Sequence, residues 1–496
     1  MSSELNELDN IIKNRKIVIY GAGQWASFFY TYIDLLGQSS RVVYVTVTEE
    51  REPNNNIFKQ DIVLYNEIKN DIQDCLIIVA ISSTEELIKS IANEHRGDIY
   101  QLTEIQVQNM QEYIFSYYLK YPVQRNKIFV SCYKGKNGYC CNCKYIVEKL
   151  IEKRCPVEIV WSILNSTTWQ FPENVKTVVQ NSPEYYRELY TAGIIISNAG
   201  VPCYPCKKKE QYMIHTWHGS GPFKKVGVSL YEGDMNKREL YRNRFSKVDA
   251  FLSNSADNTE MFRHSFIYDG EIYESGSPRN DILFQKNNIR GQICKKFGIE
   301  SGKKILLYAP TFRGGWDGKG MAYSFDWYDL DMHHVLGALS QRFGEDFILM
   351  YRFHQQLYKL YQYGQTNGFY PFGIDVTFYP DVMELLVAAD VLITDYSSVM
   401  WDFSLQRRPV FLYHNDEREY TDDRGFYWPV SRWPYPQAHT CEELCRVITQ
   451  FNEEEYLQKL EAFFEADPSY DDGHASERAV ERIMDVINHP EKYGKE

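Results

Sequence analysis

Short β-branched runs that end on glycine or a polar residue, each followed by a helical stretch, recur along this chain and leave few folds open to it. Residues 16–21 read KIVIYG, and a helical stretch follows from about Gln24 to Leu36. RVVYVTV (41–47) and CLIIVAI (75–81) repeat the strand pattern, with helix-like segments between and after them. Strand, glycine turn, helix, strand is the signature of a βαβ unit, and such units build a parallel sheet. This predicts an α/β chain whose first domain, small and Rossmann-like, covers residues 1–110.

A tyrosine-rich helical connector (106–121) runs into Pro122, and the pattern then restarts. KIFVSC (127–132), EIVWSIL (158–164), KTVVQ (176–180) and AGIIISN (192–198) read as strands. YIVEKLIEK (145–153) carries its apolar residues at the spacing of one helix face. This second unit is expected over 122–290. A third, over 300–490, begins at KKILLYAP (303–310) and continues through FILMYRFH (347–354), VTFYP (376–380), VLITD (391–395) and PVFLY (409–413). Helices at 443–466 and 477–489 close the chain. Two successive Rossmann-like units suggest two lobes facing a cleft, with ligands outside the carboxyl ends of the strands.

With 496 residues the chain has room for about three domains of ~150 residues each. Hydrophobic residues at 44% and charged residues at 24% exclude a disordered, collagen-like or coiled-coil chain. A net charge of −13 argues against a general nucleic-acid binder, which needs a basic face. No stretch approaches the ~20 apolar residues that span a bilayer. The start, MSSELNELDNIIKN, is unlike a signal sequence, and the 11 cysteines fit a reducing compartment, so a cytoplasmic location is expected.

Five segments carry chemical content. In VLITDYSSVMWDF (391–403) a strand runs through Thr394 to Asp395, and a helix is expected to start near Ser397. Ser397 and Ser398 would offer hydroxyls and backbone N–H groups to an anion such as a diphosphate; the same residues also suit an ordinary capped turn. In TWHGSGPFKKVG (216–227), His218 and Ser220 stand beside Gly219 and Gly221, where backbone can approach a ligand closely. Residues 203–225 hold five lysines and one glutamate, a local reversal of sign that suits an anionic ligand or an anionic membrane surface. Thr311 and Arg313 in YAPTFRG (308–314), and Arg352 and His354 in YRFH (351–354), follow strands; arginine suits phosphate through its planar fork. Finally, Gly21 and Gly23 in GAGQWA match a weak nucleotide-binding loop, with Glu49 and Glu50 near the distance of a ribose-binding acid. Cys140, Cys141 and Cys143, the pair Cys203/Cys206 and the pair Cys441/Cys445 lack the spacing of zinc knuckles and read as structural. The Asp329–Asp331 pair suits either a metal or a polar helix start.

Taken together, GKNGYCCNCK (135–144), TWHGSGPFKKVG, GSPRND (276–281), YAPTFRG, YRFH, LITDYSSVMWDF (392–403), RRPVFLY (407–413) and RGFYWP (424–429) resemble the CDP-glycerol:poly(glycerophosphate) glycerophosphotransferase family of teichoic-acid primases and polymerases. Ser220 departs from the threonine of many relatives, and the cysteines at 140–143 look like local substitutions. The resemblance implies a GT-B fold, with 122–290 as acceptor lobe and 300–490 as donor lobe. It also implies transfer of glycerol phosphate, or another polyol phosphate, from CDP-glycerol or its analogue to an acceptor hydroxyl, with release of CMP. His218 is then the candidate general base, and His354 contacts the diphosphate or assists the leaving CMP. Gly219, Ser220, Thr311, Arg313, Arg352, Thr394, Asp395, Ser397 and Ser398 would bind the donor. No metal or other cofactor is expected to be required, apart from a possible nucleotide at Gly21 and Gly23. The expected partners are the CDP-polyol, a lipid-linked or polymeric glycan and the inner face of the membrane; nucleic acid is not expected. A glycosyltransferase using a UDP-sugar, an NAD-dependent oxidoreductase and a non-catalytic scaffold of capsule assembly are the competing readings.

Overall fold

The structure, a computed structural model, describes residues 2–49, 58, 61–81, 85–136, 138–164, 169–203, 207–221, 223–286, 288–311, 313–316, 321–324, 330–353 and 372–495; for 313–316 and 321–324 it describes the backbone alone. The chain gathers into two compact units. One comprises Met1–Tyr139, Lys153–Ile214 and Ile483–Glu496, the other Cys140–Glu152 and His215–Arg482.

The first unit opens with strands β1 (Ile17–Tyr20), β2 (Val42–Val47), β3 (Ile62–Leu64), β4 (Leu76–Val79) and β5 (Ile99–Gln101), arranged β3-β2-β1-β4-β5 and all parallel. Every residue of β1 and β4 is buried, as expected of continuous apolar runs covered on both faces. The helix Glu104–Leu119 starts from a capping box in which Thr103 and Gln106 satisfy each other's backbone N–H groups. A second parallel sheet follows: β6 (Gln124–Ser131), β7 (Glu158–Ile163), β8 (Val175–Val179), β9 (Ala192–Ser197) and β10 (Tyr212–His215), in the order β10-β9-β6-β7-β8.

In the second unit β11 (Ala250–Leu252) pairs in parallel with β12 (Glu271–Tyr273). Its main sheet is built from β13 (Lys304–Tyr308), β16 (Phe347–Tyr351), β17 (Ile374–Asp375), β18 (Val391–Thr394), β19 (Val410–Tyr413) and β20 (Gln437–Ala438), in the order β17-β16-β13-β18-β19-β20 and parallel throughout. Between β13 and β16 lies a hairpin, β14 (Arg313–Trp316) with β15 (Met321–Ser324). Three Rossmann-like parallel sheets thus meet the expected fold class.

Two local expectations change. VTFYP (376–380) is not a strand: β17 stops at Asp375, whose carboxylate takes the Thr377 N–H at 2.8 Å and turns the chain. The closing helix expected over 443–466 is two helices, Cys441–Thr449 and Glu453–Ala466. Asn452 restarts the second by accepting from the Glu454 and Glu455 N–H groups.

Candidate functional site in the second unit

The order of the main sheet fixes where a ligand can enter. From β13 the chain moves outward to β16 and β17, then returns to β18 and proceeds the other way to β19 and β20. The order therefore reverses between β13 and β18, the switch point outside which such sheets bind ligands. Thr311 and Asp395 lie just beyond these two strands. The Thr311 N–H donates to both oxygens of Asp395 (2.9 and 3.0 Å), and its hydroxyl donates to Oδ2 at 2.9 Å. Thr394 donates its hydroxyl to the Ala309 carbonyl at 2.8 Å. Thr394 and Asp395 are buried, so these three residues brace the floor of the switch point. The helix Val399–Ser404 begins two residues later than Ser397, and Ser398 makes no side-chain cap bond. Both serines are half-buried.

His218 lies in the turn after β10. Trp217 takes φ +54°, and its ring lies 4.3 Å from that of His218, centroid to centroid. Gly219 brings its backbone against Ser398: a Cβ there would stand 3.2 Å from the Ser398 Oγ. The two expected donor-binding stretches are therefore neighbours. Gly221, at φ +72°, leaves no room for a side chain, because a Cβ would meet Phe223 at 2.6 Å and Trp401 at 2.7 Å. The turn is strapped down on its far side. The Lys225 N–H donates to the Gly425 carbonyl (3.1 Å), the Tyr427 N–H donates to the Phe223 carbonyl (3.0 Å), and Lys224 bridges Phe426.

What joins the His218 turn to the Ser398 helix is a set of buried polar residues, of which only Ser220 had a role expected from the sequence. Arg279 donates to the His218 carbonyl at 2.8 Å and to Asp402 at 2.6 Å, both side chains being almost fully buried. Asn142 donates to the carbonyls of Thr216 (3.0 Å) and Trp217 (3.1 Å) and accepts from the Arg279 N–H at 3.0 Å. Ser220, also buried, lies 3.4 Å from the Asn280 amide, which donates to Asp471. Asp471 further accepts from Ser277 N–H, Asn254 and Ser469; burial pushes its carboxyl up to about 6 against these bonds. GSPRND was visible as a motif, but the partners named above lie 60 to 194 residues away in sequence, and no spacing rule reaches them.

Other expected residues fall differently. Arg352 gives its guanidinium to the carbonyls of Val376 (3.0 Å) and Tyr379 (2.5 Å), so it supports the turn after β17. Arg313 is described by its backbone alone, and His354, Glu50, Cys206 and Asp329 lie outside the described residues. Asp331 caps the helix Met332–Phe343 through the N–H groups of His333 and His334. Lys208 departs from a uniformly solvated basic stretch: it is buried and donates to the carbonyls of Tyr118 (2.6 Å) and Tyr121 (2.7 Å). In the first unit Gly21 (φ +115°) leaves β1 and Gly23 caps the helix Gln24–Leu35, at the switch point between β1 and β4; Glu49 lies beyond the end of β2. Among the described residues no helix is long and apolar enough to cross a membrane.

Comparison with known proteins fits this arrangement. The CDP-glycerol:poly(glycerophosphate) glycerophosphotransferase family matches residues 113–485, which include every motif of the second unit described above. The chain belongs to this family. It is 30% identical over 473 residues to a teichoic acid poly(glycerol phosphate) polymerase of Staphylococcus epidermidis, covering 90% of this chain and 61% of that relative. To the Bacillus subtilis protein of the same description it is 31% identical over 380 residues, 73% of this chain and 49% of the relative. The chain thus spans roughly half to three fifths of the length of these two polymerases. Among solved structures, a variant of the wall teichoic acid polymerase TagF soaked with CDPG matches with a TM-score of 0.66 and 30% identity, over 77% of this chain and 95% of that one. The sheet of residues 17–101 lies outside the matched family region.

Proposed function

We propose that this glycerophosphotransferase-family chain is an enzyme that transfers glycerol phosphate, or a closely related polyol phosphate, from a CDP-activated donor to an acceptor hydroxyl in teichoic-acid or capsule-type polymer synthesis. The acceptor oxygen attacks the β-phosphorus, the bond from that phosphorus to CMP breaks, and CMP departs with the bridging oxygen. His218 takes the acceptor proton. Charge builds on the phosphoryl oxygens in the transition state, so positioning and electrostatic stabilisation carry the rate. Gly219, Ser397 and Ser398 cradle the diphosphate above the floor braced by Thr311, Thr394 and Asp395, and Ser220, buried against Asn280, holds the turn that carries Gly219. Arg313 and His354 complete the donor site in this proposal, with Arg352 acting through the turn after β17 that it holds, and Gly21 and Gly23 are candidates for a nucleotide in the first unit. The acceptor is a lipid-linked or polymeric glycan, bound by the 122–290 lobe, and the donor is held by the 300–490 lobe.

The observation that carries this reading is the approach of the His218–Gly219 turn to Ser398 at the switch point, in a chain of this family. Incubation with CDP-glycerol and with CDP-ribitol, followed by mass analysis of the released nucleotide, tests it. CMP release with a polyol phosphate gained by the acceptor is the expected result. Release of UDP from a UDP-sugar, or donor binding without turnover, replaces the reading by a glycosyltransferase or a scaffold. A place on the inner face of the membrane, through the lysine-rich 207–225 region, belongs to the same proposal, and flotation with anionic vesicles tests it.

A further inference from the structure

β19 and β20 are neighbouring parallel strands, with Tyr413 opposite Ala438, and each is followed at its carboxyl end by a histidine, His414 and His439. The backbone holds the two together: the His414 N–H donates to the Ala438 carbonyl at 3.1 Å, and His439 Nδ1 lies 3.0 Å from the His414 carbonyl. The rings stand 4.7 Å apart, edge to face. Glu417, in the first turn of the helix Glu417–Asp423, places Oε2 3.4 Å from His414 Nδ1. One ligand atom from each of the three residues lies within 4.8 Å of the others.

His414 is the informative member. Its side chain is fully buried, yet neither ring nitrogen has a hydrogen-bond partner among the described residues. Buried polar atoms are ordinarily satisfied, and a buried ring with Nε2 unbonded and Nδ1 facing a carboxylate without a hydrogen bond needs a reason. In His439, Nδ1–H donating to the His414 carbonyl leaves Nε2 as the open donor, the backbone arrangement that orients metal-bound histidines.

We propose that His414, Glu417 and His439 form a binding site for a divalent transition metal, with Zn2+ the ion that suits the set. Two imidazoles and one carboxylate are common zinc ligands, and three protein groups leave a fourth position for water. At Zn–N and Zn–O lengths near 2.1 Å, tetrahedral ligands sit about 3.4 Å apart. The His414–Glu417 pair already has that separation, and the exposed ring of His439 closes the rest. The ion pins the helix Glu417–Asp423 to the strand ends. That helix carries Tyr420, whose ring stacks on Tyr396, 4.2 Å between centroids, directly after Asp395. The site is therefore a clamp beside the switch point and supplies no step of the transfer.

The test uses the full chain, stripped with a chelator and titrated with Zn2+ by calorimetry, and with Co2+ by its visible absorption. His439→Ala removes an exposed ligand, and Glu417→Gln keeps the shape while weakening the donor; both are compared with wild type. The wild type is expected to bind one Zn2+ per chain that each variant binds at least about tenfold more weakly. Zn2+ should raise the Tm of the wild type and not of His439→Ala. Co2+ should give a four-coordinate spectrum that both variants lose. Zinc bound no more tightly by wild type than by His439→Ala, as surface or thiol binding would give, overturns the proposal.

Discussion

At the scale of single residues, His218 and Arg279 illustrate two kinds of dependence. His218→Ala is expected to lower kcat by about 10²-fold or more while donor affinity stays near wild type, because a base acts on the acceptor proton and not on the donor. Wild-type turnover in that variant removes its role. Arg279→Leu leaves Asp402 buried and uncompensated beneath the same turn, and losing one partner of a buried pair costs about 3–5 kcal/mol. Chemical denaturation of Arg279→Leu reads this directly, and a loss under 1 kcal/mol would show that Asp402 finds another partner. The histidine was conspicuous in the sequence as a candidate base because it stands among glycines and lysines in one short run. The arginine was not, since its meaning lies in His218 and Asp402, 61 and 123 residues away.

Secondary-structure elements divide along similar lines. Long β-branched runs such as KIVIYG and AGIIISN announced their strands, because a buried parallel strand needs apolar residues on both faces. The two-residue β20 (Gln437–Ala438) and three-residue β11 and β12 are too short to show a period; pairing with longer neighbours makes them strands. The helix that starts at Ala475 depends on a distant residue. Asp281 accepts from the Ala475 and Ser476 N–H groups at 2.9 and 2.7 Å, an N-cap supplied from 194 residues upstream. Asp281→Ala should cost about 1–2 kcal/mol in urea unfolding. A loss confined to a few tenths would mean that water caps the helix equally well. Ser398→Ala acts on the opposite kind of helix start, one without a side-chain cap bond. Its effect should fall on donor KM with little change in stability; unchanged donor binding counts against the cradle.

For the molecule as a whole, stability against pH carries the imprint of Asp471. Its carboxyl is raised to about 6 by burial, above the value it has in an unfolded chain, so the folded state holds the proton longer. The stability from this proton is complete below about pH 4 and is lost as pH rises through about 6. Relative to an Asp471→Asn variant, the wild type should weaken by about 2–3 kcal/mol between those limits and run parallel to it above. Parallel curves from pH 4 to 7 would place the charge in a better solvated setting than the structure gives it. The whole-chain reading was legible as three parallel α/β sheets because strand and helix alternate in sequence. The grouping of residues 140–152 with 215–482 was not, since a single helix changes unit without any break in composition.

The strap between 223–225 and 425–427 is made largely of main-chain groups. Amide and carbonyl are the same whatever amino acid carries them. Lys224 and Lys225 can therefore be exchanged for other residues without undoing the strap, whereas Tyr427, whose hydroxyl takes the Val226 N–H, and Phe426, whose ring packs on Tyr396 and Tyr420, tolerate less drift.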